Sequence, residues 1–112
     1  MMKDNNTLNI DSLKVLNPFD GKVVGTVESL NQSQVHSILK KAYNFQCNLL
    51  ANEREEILLK SALFMSEHKD SLARLISSES GLSLQDTKYE VERVIKCAKF
   101  SAKVCALVEK DT

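Results

Sequence analysis

Hydrophobic and polar positions follow one pattern at the start of the chain and another after it. Two short stretches rich in β-branched residues, 13–16 and 22–27, flank the segment 17–21. Asp20 followed by Gly21 between such stretches is typical of a β-hairpin, because glycine supplies the positive φ that the turn needs. A two-stranded ribbon is marginal by itself, so this hairpin is expected to pack against another element.

Beyond residue 30 the apolar residues recur at helical spacing. Asn31 and Gln34 form a capping-box pattern that predicts the start of a first helix. Its expected apolar positions are Val35, Ile38, Leu39, Ala42 and Phe45. Residues 52–55 repeat the box pattern and predict a second helix. Its expected apolar face consists of Ile57, Leu58, Ala62 and Met65.

Two further helices complete the predicted order. A break near residues 67–69 leads to a short third helix, which Gly81 ends as a C-terminal cap. Residues 83–86 then cap a fourth, long helix that continues toward the end of the chain. The predicted fold class is therefore mainly α: an N-terminal β-hairpin followed by about four helices, the last one long.

The fourth helix has apolar residues on two sides. One stripe consists of Val91, Val94, Ile95, Ala98, Ala102 and Cys105. A second stripe, turned well away from the first, consists of Tyr89, Cys97, Phe100 and Val104. A helix that is apolar on two sides needs cover on two sides. The three shorter helices can cover one stripe, so the second stripe predicts a further partner surface.

Composition narrows the function classes. The chain has 112 residues, enough for one domain at most, and 15 basic residues balance 15 acidic ones. This balance gives no indication of nucleic acid or an anionic membrane as a partner, and no apolar run is long enough to span a bilayer. The polar residues 1–11 are expected to be a disordered tail. Three cysteines without paired spacing favour a reducing cytoplasm.

The residues themselves provide no complete catalytic site. Cys47 follows Gln46 and is expected to be a partly buried side chain on the back of the first helix, without a nearby base. His36 and His68 have no partner at the spacing of a metal site or dyad and are expected at the surface. The glycines at 21 and 25 lack the Gly-Lys-Ser/Thr of a phosphate loop.

Three segments, in this order and spacing, resemble the start of the NAD(P)-dependent aldehyde dehydrogenases. They are Asn-Pro-Phe-Asp-Gly-Lys-Val-Val-Gly-Thr-Val at 17–27, Glu-Arg-Glu-Glu-Ile-Leu at 53–58, and Glu-Ser-Gly-Leu-Ser-Leu-Gln-Asp-Thr-Lys-Tyr-Glu-Val at 79–91. The resemblance is nearest to the phosphonoacetaldehyde dehydrogenase-like branch. It implies that residues 12–112 are the truncated hairpin-and-helices part of a cofactor-binding domain, an incomplete piece of an α/β fold.

The resemblance also implies an activity, a cofactor and partners. A family enzyme oxidises an aldehyde through a cysteine thiohemiacetal and passes hydride to NAD or NADP. It assembles as a homo-oligomer, and this segment lies against the remainder of its own enzyme chain. The family's cysteine, Pro-Trp-Asn and cofactor-turn motifs do not occur in these residues. The 112-residue chain alone is therefore expected to be inactive, with no catalytic, cofactor-binding or metal-binding residues of its own.

One candidate substrate-binding residue follows from the branch. Arg93, in the segment Glu90-Val91-Glu92-Arg93, matches an arginine that reaches the anionic tail of the substrate. The alternative interpretation is an arginine that lies over the second stripe or pairs with Glu90. Some family members hold a structural monovalent cation near the position of Glu79, and a plain helix-terminal glutamate is the alternative there.

Two other function classes remain open at this point. The chain could be a free-standing helical interaction module whose second stripe binds a partner helix. The third hypothesis is a small acid–base enzyme, but the sequence shows no set of polar groups that would converge on one site.

Overall fold

The computed structural model describes residues 11–110, with side chains described as far as residue 108. The elements are β1 (Ser12–Leu16), β2 (Val23–Glu28), α1 (Gln32–Asn44), α2 (Ala51–Glu67), α3 (Lys69–Ser80) and α4 (Leu84–Lys110). The predicted class is confirmed: one antiparallel hairpin is followed by four helices, of which the last is the longest. The tail predicted for residues 1–11 lies, apart from Asp11, outside the described residues.

The hairpin forms where the sequence predicts it. β1 pairs antiparallel with β2, and the register shifts between Val15 and Leu16. The loop is longer than a two-residue turn. The hydrogen bond that closes it runs from the Asn17 amide to the Lys22 carbonyl, at 2.8 Å. Within the loop, Gly21 has the expected positive φ of 70°. The Asn17 and Asp20 side chains accept from the backbone amides two residues further along the chain, which stabilises the loop.

The loop of the hairpin lies against the end of α3. Gly81 ends this helix in the left-handed conformation, with φ 77°, as predicted. A Cβ atom placed at Gly81 would lie 3.4 Å from Cγ of Pro18 in the hairpin loop. The hairpin loop thus comes close to the end of α3, while most residues of the two strands stay exposed, so the expected packing of the hairpin is found only in part.

The helix caps agree with the sequence at two of three places. In α1, Asn31 and Gln34 make both hydrogen bonds of the predicted capping box. At α4, the Asp86 amide donates to Oγ of Ser83 at 3.1 Å. The capping box of α2 was predicted at residues 52–55, which is wrong, because the helix already begins at Ala51. Its cap residue, Leu50, has no side-chain acceptor, so only the return bond to the Glu53 carboxylate is present, at 2.7 Å.

The core lies where α4 packs on α2 and α3. Its buried residues are Ala62 of α2, Ala73 of α3, and Val91 and Ile95 of α4. The small alanines let the helix axes approach closely. Thr87 is fully buried, and its hydroxyl donates to the Leu84 carbonyl at 3.2 Å, so burial leaves no polar group unpaired there.

Charged side chains join α3 to α4 beside this core. Lys69 at the start of α3 donates to the Glu92 carboxylate. The next residue, Asp70, pairs with Lys88 at 3.5 Å. The hydrogen bond from Lys69 and its positive charge lower the pKa of Glu92, and the charge of Lys96 adds to the effect. Both pairs join the first turn of α3 to α4, as the antiparallel packing of the two helices allows.

One expectation about the packing is wrong. All three short helices were expected to cover α4, but α1 contains no buried residue. Its apolar face is exposed, with Ile38 51% exposed and Leu39 62% exposed. The radius of gyration is 19.8 Å. A compact domain of about 110 residues would have a radius of about 13 Å, so these elements do not close into one globule.

Candidate functional site

The candidate site lies on the side of α4 that faces away from α2 and α3. Successive residues of an α-helix are about 100° apart, so Arg93 and Phe100 lie opposite the buried Val91 and Ile95. Tyr89, Cys97, Phe100 and Val104, the second apolar stripe, are all exposed. Val94 was expected in the covered stripe but is 51% exposed, because it lies at the edge of the contact with α2 and α3.

Arg93 lies within this exposed stripe and has a partner in its own helix. Its Nη1 donates to Oε1 of Glu90 at 3.1 Å and lies 3.4 Å from Oε2. The arginine side chain keeps 61% of its surface exposed. The pair with Glu90, one of the two interpretations of Arg93 from the sequence, is thus present in the structure. The remaining N–H groups of the guanidinium donate to no other described residue. An exposed pair of this kind is weak, so an anion would displace Glu90 at small cost.

A shallow open depression adjoins Arg93. Glu90, Val94, Lys96 and Cys97 line it together with Arg93. Lys96 was not singled out from the sequence, although its i+3 spacing from Arg93 places both cations on neighbouring turns. No described carboxylate lies within ion-pair distance of the Lys96 amine. The depression thus combines a planar guanidinium and an ammonium, which suit an anionic group with several oxygens.

The other candidates from the sequence are not brought together. Cys47 lies beyond the end of α1 and is exposed, so its expected place on the back of that helix is wrong. Cys97 is also exposed, and Cys105 is half-buried. His36 and His68 are at the surface, as predicted. His68 stacks on the ring of Phe64, with centroids 4.2 Å apart, and has a packing role there.

Neither a cluster of metal-ligating side chains nor a glycine-rich turn from a strand to a helix occurs among the described residues. Among the side chains that the structure describes, no group of three or more His, Cys, Asp or Glu residues could hold a metal ion. Glu79 is exposed near the end of α3. In the Rossmann fold the dinucleotide lies at a glycine-rich connection from a strand to a helix. Gly21 and Gly25 lie in the hairpin, so they do not fit that role.

The hydropathy of the described helices agrees with the composition on one further point. None of them is both long and apolar enough to cross a membrane.

Similarity to known proteins covers almost the whole chain. Residues 5–112 match the aldehyde dehydrogenase family. The chain is 37% identical over 93 residues to aspartate-semialdehyde dehydrogenase 1 of Pseudomonas canavaninivorans, covering 80% of this chain and 20% of that protein. It is 32% identical over 98 residues to lactaldehyde dehydrogenase of Methanococcus aeolicus, covering 85% of this chain and 21% of that protein.

A third relative extends the match nearly from end to end. Glutarate-semialdehyde dehydrogenase of Pseudomonas putida is 30% identical over 107 residues, covering 93% of this chain and 22% of that protein. The chain thus spans about a fifth of the length of these curated relatives. Because the family match includes the hairpin, all four helices and the segment around Arg93, the chain belongs to the aldehyde dehydrogenase family.

Proposed function

We propose that this chain is the N-terminal segment of an NAD(P)-dependent aldehyde dehydrogenase that oxidises a small anionic aldehyde, such as phosphonoacetaldehyde, to the carboxylic acid. The reaction would proceed through a thiohemiacetal on a cysteine outside these 112 residues. Family enzymes generally use NAD or NADP. No residue of this segment is assigned to the cofactor, and the segment alone is proposed to be inactive.

The observation that carries the substrate class is the placement of Arg93. It lies on the exposed stripe of α4, beside Lys96 and an open depression, within the segment that matches the family. A guanidinium grips two oxygens of a phosphonate, phosphate or carboxylate at once. Holding the tail in this way orients the aldehyde carbon, so the binding energy lowers the barrier as well as the dissociation constant.

The names of the relatives support an anionic substrate in part. Aspartate, glutarate and malonate semialdehydes each keep one carboxylate, and enzymes named for them are among the similar proteins. Lactaldehyde, which carries no charge, names two others. An uncharged aldehyde is therefore the alternative, in which Arg93 would keep Glu90 as its structural partner.

The uncovered faces of the segment support its proposed partners. In the whole enzyme, the remainder of the chain would cover the second stripe of α4, and the enzyme would be a homo-oligomer. A cytoplasmic location fits three cysteines without a disulfide between them, and it stays a prediction. An independent interaction module would instead be expected to bury its own apolar helix faces, which α1 does not do.

Kinetics of the full-length enzyme would test the substrate class. We expect Arg93→Ala to lower kcat/KM for phosphonoacetaldehyde by an amount corresponding to about 1.5–3 kcal/mol, the value of one hydrogen bond to a charged group. The same variant should leave kcat/KM for propanal nearly unchanged. Lys40→Ala on the polar side of α1 is the matched control, since it removes one positive charge elsewhere.

Two outcomes would contradict parts of the proposal. An equal loss for both aldehydes would make Arg93 a structural residue and remove the local support for an anionic substrate. Calorimetry that showed the 112-residue chain alone binding NAD or NADP with a Kd of micromolar order, about −8 kcal/mol, would contradict its proposed lack of a cofactor site.

A further inference from the structure

Two outward faces of the helical core differ in charge. The part of α4 from Arg93 to Val108 contains four basic residues and no acidic one. Three of them, Lys96, Lys99 and Lys103, have no described carboxylate within ion-pair distance. They accompany the exposed rings of Tyr89 and Phe100. The basic face of α4, as we call this surface, therefore consists of the apolar stripe, which contains Arg93, and of three lysines along one side of it.

The outward side of α2 has the opposite charge. Glu53, Glu56 and Glu67 are exposed there, against one lysine, Lys60, which pairs with Glu56 at 2.7 Å. Apolar side chains lie on both sides of these carboxylates, namely Ile57, Leu59, Leu63 and Phe64, each 46–61% exposed. We call this surface the acidic face of α2. It matches the basic face of α4 in polarity and complements it in charge.

The charges decide which contact two copies of the chain can make. Pairing of one basic face with another would bring together six lysines that have no described counter-charge, and their repulsion opposes that contact. Pairing of a basic face with an acidic face buries apolar surface on both sides and places opposite net charges next to each other. Contiguous exposed apolar side chains favour association, because contact removes them from water.

The fold also decides the form of the assembly. The acidic face lies opposite Ala62, and the basic face lies opposite Val91 and Ile95, all of which are buried between α2 and α4. The two faces thus point away from each other across the packed helices. A contact between two different faces that point in opposite directions does not close into a symmetric dimer and adds copies head to tail.

We propose that the 112-residue chain by itself associates with further copies of itself, the basic face of α4 on one copy binding the acidic face of α2 on the next. The association is open-ended and electrostatically assisted. This inference does not depend on the substrate class. It concerns the chain in isolation, since in the whole enzyme the remainder of the chain is proposed to cover the same face of α4.

Sedimentation equilibrium of the unmodified chain provides the first test. At a salt concentration of about 0.01 M the average mass should rise with protein concentration beyond that of a dimer. At about 1 M salt, where the screening length falls to about 3 Å, the association should weaken. A monomer at every concentration would overturn the proposal. So would a discrete dimer that is insensitive to salt, because the exposed apolar face of α1 would then be the better explanation.

Charge reversal on either face provides the second test. The double variants Lys96→Glu with Lys103→Glu, and Glu56→Lys with Glu67→Lys, should each weaken association by about tenfold or more. The control matched to the lysine variant is Lys14→Glu with Lys40→Glu, which makes the same charge change on the hairpin and α1 and should leave association unchanged. Far-ultraviolet circular dichroism would verify that each variant keeps its helices.

Mixing the two charge-reversed proteins gives the sharpest result. In the Glu56→Lys/Glu67→Lys protein both faces are positive. In the Lys96→Glu/Lys103→Glu protein the two new carboxylates balance Arg93 and Lys99, so its α4 face no longer attracts an acidic face. Neither protein should therefore bind its own copies, whereas the unchanged basic face of the first complements the unchanged acidic face of the second. We expect the equimolar mixture to form a mixed dimer. Failure of the mixture to associate while the unmodified chain does so would overturn the assignment of these two faces.

Discussion

The packed helices α2, α3 and α4 and the isolated helix α1 show two ways in which this sequence specifies a helix. In the packed part, buried alanines and branched residues meet across three helices, and ion pairs join elements that are distant in sequence. In α1, a complete capping box and an amphipathic pattern suffice to specify the helix, but nothing in the described chain covers its apolar face. Local signals thus determine where α1 begins, but they do not determine what its apolar face packs against.

A core substitution should separate the two regions most strongly. Ile95→Ala in α4 removes a side chain that is 8% exposed, and we expect a loss of about 2–5 kcal/mol in the free energy of unfolding. Ile38→Ala in α1 removes the same atoms from a side chain that is 51% exposed. Its cost should be about 0.5 kcal/mol or less. Urea unfolding followed by circular dichroism at low protein concentration would measure both, and equal losses would show that α1 is packed in solution.

The sequence predicted the features of the fold that depend on near neighbours. Helix ends depend on contacts between residues that are close in sequence, so they could be predicted from it. Examples are the caps at Asn31 and Ser83 and the end of α3 at Gly81. The start of α2 was predicted at the wrong residue, because its cap residue, Leu50, has no side-chain oxygen that a capping pattern could reveal. The polar residues 52–55 were the only capping signal in this part of the sequence. Apolar spacing predicted a face on α1 correctly, but spacing does not identify what covers a face.

The candidate site shows the same limit. The pairing of Arg93 with Glu90 was readable as an alternative because the two residues are one helical turn apart. Lys96 could have been found by the same spacing. The pairing of Lys69 with Glu92 could not, because 23 residues separate the partners and only the antiparallel packing of α3 on α4 brings them together.

Removing a cap from each region should give an intermediate effect. Ser83→Ala at α4 deletes the acceptor of the Asp86 amide, and we expect a loss of about 1 kcal/mol in the global free energy of unfolding. Asn31→Ala deletes the equivalent acceptor at α1. Because α1 is not packed, that loss should appear as faster hydrogen exchange within α1 and not in the global transition. A global loss of the same size in both variants would contradict the independence of α1.

The smallest expected effect concerns pH and two lowered carboxyl pKa values. Lys69 holds the pKa of Glu92 below its ordinary value of 4.5 through a hydrogen bond and its charge, across two helices. Lys60 lowers the pKa of Glu56 in the same way within α2. A carboxylate whose folded-state pKa is lowered stabilises the fold above its unfolded-state pKa, and this contribution disappears as the pH falls through the folded-state value.

Glutamine variants should therefore differ from the unmodified chain mainly in the acid limb, which is the fall in the free energy of unfolding at acidic pH. We expect Glu92→Gln to be slightly less stable than the unmodified chain at neutral pH and to lose less stability below the ordinary glutamate pKa of 4.5. Glu56→Gln should flatten the acid limb less, because an i,i+4 pair partly persists in the helical segments of an unfolded chain, whereas a contact between two helices is lost completely. Urea unfolding across this pH range, at low ionic strength to avoid screening, would measure the difference. An unchanged acid limb in Glu92→Gln would mean that the pair with Lys69 does not help to hold α3 against α4 in solution.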